Sequence, residues 1–495
     1  MTKTIDFSAF GKNDIRGIYG EDVTEELFYY VGKGYVKYIQ DKTGLAPNDI
    51  WITISRDARL HSESLAKTLI KGIVHMGANA INLDIVPTPI GYFSEFVSIP
   101  ESISKDAKIS GALIVTASHN PPEYNGLKLT FNKSSLNEEE IKKVKEYTLE
   151  QMNNDITAVK HGESRLYNIL PKYIEFLTSK FGRVGSGIKV VVDSANGTAG
   201  VVAPKLYSDI GCEVIELYSE PDGNFPNHHP NPSDLSTLDD IKKKVIETNA
   251  DIGIAFDGDS DRLGVIDSEG NALTGDKLLY IYAQDVIKDL SVRGEKPTVV
   301  SEVKCSQVLF DEINAQGGNA IMCKTGHGYI KSKMKETNAI LAGEMSGHMF
   351  FKDRYYGFDD AVYAGCRVIE ILAKNKKINP NFKLGDLLIP FNRVCTLDEV
   401  RHKCKNNLKK KVLQEVTEKI KNDDMIFGTK INDIVTLDGL RIIFPDGFAL
   451  IRQSNTEPVF TLRFEASKKE KAIHYKNVMI SLLDECIAKY SECEE

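Results

Sequence analysis

The sequence predicts an α/β protein of several domains, and three observations predict it. The chain has 495 residues, too many for one ordinary hydrophobic core and enough for three or four domains. Short β-rich apolar runs alternate with segments of helical periodicity along most of that length. Three of the apolar runs end directly in polar, glycine-containing segments: 111–115 runs into TASHNPPEYNG, 252–256 into DGDSDR, and 339–342 into GEMSGH. Ligands of open α/β sheets bind beyond the carboxyl ends of the strands, so chemistry is expected in those three segments.

The elements follow in order. Leu65, Leu69, Ile70, Ile73 and Val74 share one helical face, and Gly77 ends the pattern. A helix is expected to begin near Ser135-Leu136-Asn137-Glu138, a capping-box spacing, before Ile141 and Val144. A second α/β unit carries VVVDSANGTAG at 190–200. The Lys-rich stretch 402–423 has Val412, Val416 and Ile420 on one face and interleaved Glu and Asp, so it reads as a solvated amphipathic helix. Breaks are expected near 155, 270 and 385: after the charged helix ending around Met152, after Asp267-Ser268-Glu269-Gly270, and at Asn379-Pro380-Asn381 with Gly385. They divide the chain into 1–155, 156–270, 271–385 and 386–495.

Composition narrows the function classes. The chain is 42% hydrophobic and 27% charged, with net charge -8 and pI 5.8, which disfavours a dedicated nucleic-acid binder. A locally positive cleft for an anionic substrate is still compatible with that balance. The opening residues, MTKTIDFSAFGKNDIRG, show no secretory signal. No apolar run approaches the roughly eighteen residues of a membrane span. The eight cysteines (Cys212, Cys305, Cys323, Cys366, Cys395, Cys404, Cys486 and Cys493) form no CxxC pair. Free thiols and a cytoplasmic location are expected.

Four segments carry chemistry. In 116–126, Ser118 sits just past a strand among two prolines and a glycine, so an irregular backbone presents its hydroxyl and His119 or an amide can orient it, although taken alone the segment reads more readily as an ordinary ST-turn. In 257–262, Asp257, Asp259 and Asp261 alternate after an apolar strand and would repel one another without a cation. Hard oxygen donors of this kind suit Mg²⁺. An EF-hand loop also opens D-x-D-x-D, but its sixth and twelfth positions here are Arg262 and Ser268 rather than Gly and Glu. A haloacid-dehalogenase-type site usually has Thr or Val where Asp261 stands. In 343–348, Glu344, Ser346 and His348 can grip sugar hydroxyls. In 452–458, Arg452 with small polar residues makes a phosphate cradle, or simply a turn between two strands.

The order and spacing of these segments resemble the α-D-phosphohexomutase superfamily, in detail its bacterial phosphomannomutase/phosphoglucomutase branch. The matches are NDIRG at 13–17, TASHNPPEYNGLK at 116–128, PDGNFPNHHPNP at 221–232, DGDSDR at 257–262, KTGHGYIK at 324–331, GEMSGH at 343–348 and RQSNTEP at 452–458, and they span essentially the whole chain. The resemblance implies four domains around a central cleft. Three are related α/β domains with mixed sheets, carrying in turn the phosphoserine loop, the metal loop and the sugar loop; the fourth is a smaller C-terminal α+β phosphate-binding domain. It implies that Ser118 is the phosphoserine and that Asp257, Asp259 and Asp261, with Ser118, hold Mg²⁺. Arg16, Lys128 and Arg262 would flank the transferring phosphoryl group. Lys304, His327, Glu344, Ser346 and His348 would face the sugar, and Arg452, Ser454, Asn455 and Thr456 the non-transferring phosphate. Some relatives carry an aromatic residue where Asn13 stands.

The activity so implied interconverts hexose 1-phosphate and hexose 6-phosphate, of mannose or glucose, through phosphorylated Ser118 and a 1,6-bisphosphate. Lys128, His327 and His348 are candidates for the base, and the C-terminal domain is expected to hinge over the intermediate. Sugar phosphates are the expected partners, without nucleic acid or membrane, in a monomer or dimer. Competing readings are a mutase for amino sugars, separated by turnover of glucosamine phosphates, and a non-enzymatic sugar-phosphate sensor, which would not phosphorylate Ser118.

Overall fold

Val, Ile and Leu dominate the runs that form strands, because β-branched and aliphatic side chains fit a pleated surface buried on both faces. The computed structural model describes residues 7–103, 107–454 and 458–492. These form two compact units: one of residues up to 274 with 346–351 and 358–383, the other of 275–345, 352–357 and the chain from 384 onward. Among the described residues no helix is long and apolar enough to cross a membrane. The seven described cysteines are free thiols, and Cys493 lies outside the described residues.

The first unit contains two mixed sheets. In one, the strands Ile109–Val115, Trp51–Arg56, Asn79–Ile85 and Ser164–Leu166 run parallel, and Tyr124–Phe131 and Ile15–Ile18 add antiparallel at the edge. The helices Glu25–Thr43, Ser62–His75 and Glu138–Asn154 cover it, packing Leu27, Val31, Leu65, Leu69, Ile73, Ile141 and Val144 into one core. Ile70 and Val74 flank that core, as the helical face read from sequence requires. In the second sheet, Lys189–Asp193 pairs parallel with Glu213–Leu217 and Ile252–Phe256, and Leu263–Asp267 returns antiparallel. The helix Ala361–Ile378 also belongs to this unit. Its N-cap Asp360 accepts from Tyr363 N at 2.9 Å and from Tyr173 Oη at 2.8 Å.

The second unit joins a parallel set, Asn319–Cys323, Thr298–Glu302 and Leu341–Gly343, to an antiparallel sheet built on Gly447–Gln453 and Val459–Ala466. Buried Arg441 fastens the two. Its guanidinium donates to the carbonyls of Val303 and Cys305, and its Cζ lies 3.6 Å from the centre of the Phe448 ring.

Three local expectations are corrected. The capping box lies two residues further on, at Asn137 and Glu140 with both bonds at 3.0 Å, because Ser135 is committed to a hairpin with Thr130. The third strand begins at Leu341, not Ala339, because Ala339 N donates to Met334 O at 2.9 Å and closes the preceding helix. The amphipathic helix is Lys409–Asn422. Residues 400–403 instead form a strand that pairs with Val459–Ala466, and Val412, Val416 and Ile420 are buried as expected.

Candidate active site

In the first unit, the strand Ile109–Val115 delivers Ser118 to a turn where its φ is 53°. The left-handed region costs a non-glycine residue about 1–3 kcal/mol, so the surroundings must hold it there. Ser118 N donates to Thr116 Oγ1 at 2.8 Å, and Asn120 N to Ala117 O at 3.0 Å. Arg16 Nη1 donates to Ala117 O at 3.1 Å and to Asn120 Oδ1 at 2.8 Å, while Asp14 Oδ2 fixes the other edge of the guanidinium. The Ser118 hydroxyl donates to Asp257 Oδ2 at 3.0 Å, with His119 Nδ1 at 3.2 Å. Burial, reinforced by Arg262 and Arg16, pushes His119 down to about 2, so its imidazole is neutral. Arg262 Nη1 faces His119 Nε2 at 3.5 Å. A guanidinium only donates, so the proton of that ring belongs on Nδ1, toward Ser118.

The strand Ile252–Phe256 ends in the aspartate loop, which turns through Ser260 at φ 62°. Asp257 Oδ1 accepts from the backbone N–H of Asp261 and of Arg262, each at 3.1 Å. Lys128 Nζ reaches Asp259 Oδ2 at 2.7 Å and Asp261 Oδ2 at 2.5 Å, and Thr88 Oγ1 donates to Asp259 Oδ2 at 2.7 Å. Burial and Asp261 push Asp259 upward, but Lys128 and Thr88 bring it below its ordinary value. Asp261 is likewise pushed up by burial and drawn below its ordinary value, chiefly by Lys128. Burial, then Asp261 and Asp259, push Asp257 well above the carboxylate range. One lysine thus serves two carboxylates, and the third is met by Arg262, whose Nε lies 3.8 Å from Asp257 Oδ2, which does not outweigh burial and its two neighbours.

This donor set fits a hard cation. One oxygen from each of Asp257, Asp259 and Asp261 lies within 4.8 Å of the others, and all three residues are buried. Oδ1 of Asp259 and Oδ1 of Asp261 have no hydrogen-bond partner among the described residues, a costly state that a divalent cation would relieve.

Arg262 Nε donates to His348 Nε2 at 3.0 Å, and His348 Nδ1 lies 3.1 Å from Asp359 Oδ2 and 3.6 Å from Asp261 Oδ1. Since Nε2 accepts, Nδ1 carries the ring proton toward Asp359. Ser346 belongs to the same unit, where its carbonyl accepts from Ser233 Oγ at 2.9 Å. Of the residues expected from sequence, Arg16, Ser118, Lys128, Asp257, Asp259, Asp261, Arg262 and His348 therefore converge.

The second unit holds Lys304, His327, Glu344, Arg452 and Ser454. Lys304 Nζ lies 3.7 Å from Glu302 Oε1, which also accepts from Met345 N at 2.8 Å. Thr325 Oγ1 donates to Glu302 Oε2 at 2.5 Å. Glu344 Oε1 accepts from Gly326 N at 2.7 Å, and His327 opens the helix that follows. Asp438 Oδ2 accepts from Arg452 Nε at 2.7 Å and from Thr325 N at 3.0 Å, tying the Arg452 and His327 segments together. Ser454 lies in the turn between two antiparallel strands, its carbonyl held by Lys409 Nζ at 2.9 Å. Asn455 and Thr456 lie outside the described residues.

Sequence reasoning missed Arg59, Thr88, Glu302, Asp359 and Asp438, each of which holds an expected site residue or its loop. Glu302 alone had a local signal, an acid two positions before Lys304 at a strand's carboxyl end.

Family models described as phosphoglucomutase/phosphomannomutase alpha/beta/alpha domains I, II and III match residues 8–155, 171–270 and 274–384, and the C-terminal domain model matches 399–480. The chain is 38% identical over 475 residues to a phosphomannomutase/phosphoglucomutase of Pseudomonas aeruginosa, covering 96% of this chain and 95% of that protein. It is 37% identical to a phosphoglucomutase of Neisseria gonorrhoeae, with 92% of each covered. Its fold is similar to the crystal structure of a phosphoglucomutase/phosphomannomutase family protein from Burkholderia thailandensis, at a TM-score of 0.83 and 34% identity, with 98% of each chain covered.

Proposed function

The chain belongs to the phosphoglucomutase/phosphomannomutase family and is a sugar-phosphate mutase; from that premise we propose that it interconverts the 1- and 6-phosphates of glucose and mannose through phosphorylated Ser118. The observation that carries this reading is the Ser118 hydroxyl, held in a left-handed turn 3.0 Å from Asp257 in the buried aspartate cluster.

In the first half-reaction, O6 of a hexose 1-phosphate attacks the phosphorus on Ser118. The P–O6 bond forms, the P–Oγ bond breaks with its electron pair left on Oγ, and the O6 proton passes to a base other than Lys128, which Asp259 and Asp261 hold as a cation, and His348, whose accepting nitrogen Arg262 occupies. Asp257, Asp259 and Asp261, with an oxygen of phosphorylated Ser118, would hold Mg²⁺, which supplies charge neutralisation for the phosphoryl oxygens. Arg16, Lys128 and Arg262 spread the remaining negative charge. Arg452 and Ser454, with Asn455 and Thr456, hold the phosphate that stays put. The hexose 1,6-bisphosphate then turns around, and the phosphoryl group at position 1 returns to Ser118. Glu344, Ser346, Lys304 and His348 meet the ring in both orientations, which hydroxyl-rich recognition allows. The thiol chemistry supports work in the reducing cytoplasm.

Ser118→Ala tests the reading. Turnover of glucose 1-phosphate is expected to fall by roughly 10³-fold or more, and label from phosphorus-32 glucose 1,6-bisphosphate is expected to remain on the wild-type protein only. A variant that still isomerises at the wild-type rate would sink the proposal.

A further inference from the structure

Arg59 spends every donor it has on the Ser118 loop and its support. Its side chain is 0% exposed. Nη2 donates to Ser118 O at 2.9 Å and Asn120 O at 2.7 Å, and Nη1 to Pro121 O at 2.6 Å and Tyr124 O at 3.0 Å. Nε donates to Asp57 Oδ2 at 3.1 Å. A guanidinium carries five N–H bonds in a rigid planar fork, and all five are used here. Asp57 is fixed in turn, since its Oδ1 accepts from Arg59 N at 3.0 Å and from Ser62 Oγ at 2.5 Å.

The PDGNFP segment closes the arrangement from behind. The Phe225 ring centre lies 5.4 Å from Arg59 Cζ. Gly223 approaches so closely that a Cβ there would come within 2.6 Å of Ala58 O, Arg59 Cα and Leu60 N. Only glycine permits that contact. The motif at 221–232, which supplies no reacting group in the mechanism above, thus forms the back wall of the guanidinium site.

We propose that Arg59 is a positioning residue for phosphoryl transfer, fixing the backbone carbonyls of 118–124 so that the Ser118 oxygen stays aimed at the aspartate cluster. The inference rests on the reading of Ser118 as the phosphoryl carrier. The carbonyl of Ser118 and its side chain share one Cα held at φ 53°, so releasing the carbonyl lets the residue relax toward a common conformation and swings Oγ away from Asp257. Lysine cannot replace the fork: its three donors diverge from one nitrogen and cannot serve four carbonyls and a carboxylate. A displacement of about 1 Å at a reacting atom costs on the order of 10²-fold in rate.

Arg59→Lys tests the proposal by separating positioning from general damage. The expected result is a kcat for glucose 1-phosphate lower by on the order of 10²-fold, with KM and half-saturating Mg²⁺ within about threefold, and faster amide exchange confined to 116–126. A kcat within twofold of wild type overturns it, as does a parallel loss of KM, Mg²⁺ affinity and amide protection throughout the chain. Should Arg59→Lys show no cooperative melting, Phe225→Leu decides instead. A kcat loss of roughly fivefold with KM kept supports the proposal, and an unchanged kcat overturns it. Wild-type protein that takes no label from the bisphosphate on Ser118 would mark failure of the functional reading, whereas normal labelling with an indifferent Arg59→Lys marks failure of this inference alone.

Discussion

Thr88 lies 171 residues before the carboxylate it serves. Its Oγ1 donates to Asp259 Oδ2 at 2.7 Å, and its backbone N–H to Asp259 O at 2.9 Å. Groups that orient metal ligands from behind are worth roughly 10–100-fold in metal affinity. Thr88→Val keeps the shape and the backbone bond but removes the side-chain donor. The Mg²⁺ concentration for half-maximal activity is expected to rise by about tenfold or more, with kcat at saturating Mg²⁺ nearly kept. An unchanged Mg²⁺ titration would show that Asp259 needs no such partner. The aspartates were legible in the sequence because they stand at alternate positions after an apolar strand, whereas Ser118, whose local pattern alone reads as an ordinary turn, was legible only through the family resemblance of its whole segment. Thr88, Arg59, Asp359 and Asp438 were not legible, because their roles exist only through contacts made by the fold.

Between the helix Thr88–Phe93 and the strand Tyr124–Phe131 lies a buried carboxyl group, Glu95. It accepts from Thr130 Oγ1 and, at 2.8 Å, from Lys133 N. Burial outweighs these bonds and pushes Glu95 up to about 7. The folded state therefore holds this proton more tightly than the unfolded chain does, so its stabilising contribution is full below the ordinary glutamate range and is lost as pH rises through 7. The loss is on the order of 3 kcal/mol. Glu95→Gln is expected to flatten that part of the profile, so that its melting temperature, compared with wild type, gains a few degrees between pH 5 and pH 8. Parallel profiles for the two proteins would exclude the assignment. Elements with strong periodicity were readable: Ile252–Phe256 forms as a strand, and Leu65, Leu69 and Ile73 bury one helical face. The displaced ends have a common cause. At Ser135, Ala339 and 402–403 a backbone partner from a neighbouring element takes the hydrogen bond that local pattern assigned elsewhere.

At the scale of the molecule, the first unit brings the carboxyl ends of strands from two different sheets together, so that Ser118 meets Asp257 across 139 residues of sequence. The α/β class was legible from the alternation of elements, and the convergence only as what the family resemblance implies; the supporting residues had to be read from packing. This convergence concentrates three buried carboxylates against Lys128 and Arg262 inside a chain of net charge -8. Folding without a cation therefore works against repulsion that Lys128 and Arg262 only partly relieve, most of it at Asp257, which burial and its two neighbours push well above its ordinary range. A cation bound only by the folded state stabilises it by about 2.7 kcal/mol at a concentration one hundred times its Kd. Mg²⁺ is accordingly expected to raise the melting temperature of wild-type protein by a few degrees, and EDTA to reverse the rise and abolish turnover. Asp257→Asn keeps an oxygen for the N–H groups of Asp261 and Arg262 but cannot ionise to a carboxylate when a cation binds. Without Mg²⁺ it should melt no lower than wild type, yet show almost none of the Mg²⁺-induced rise. An equal rise in the variant would place the stabilising cation elsewhere, and a metal-free variant several degrees less stable than wild type would show that the carboxylates are compensated without a cation.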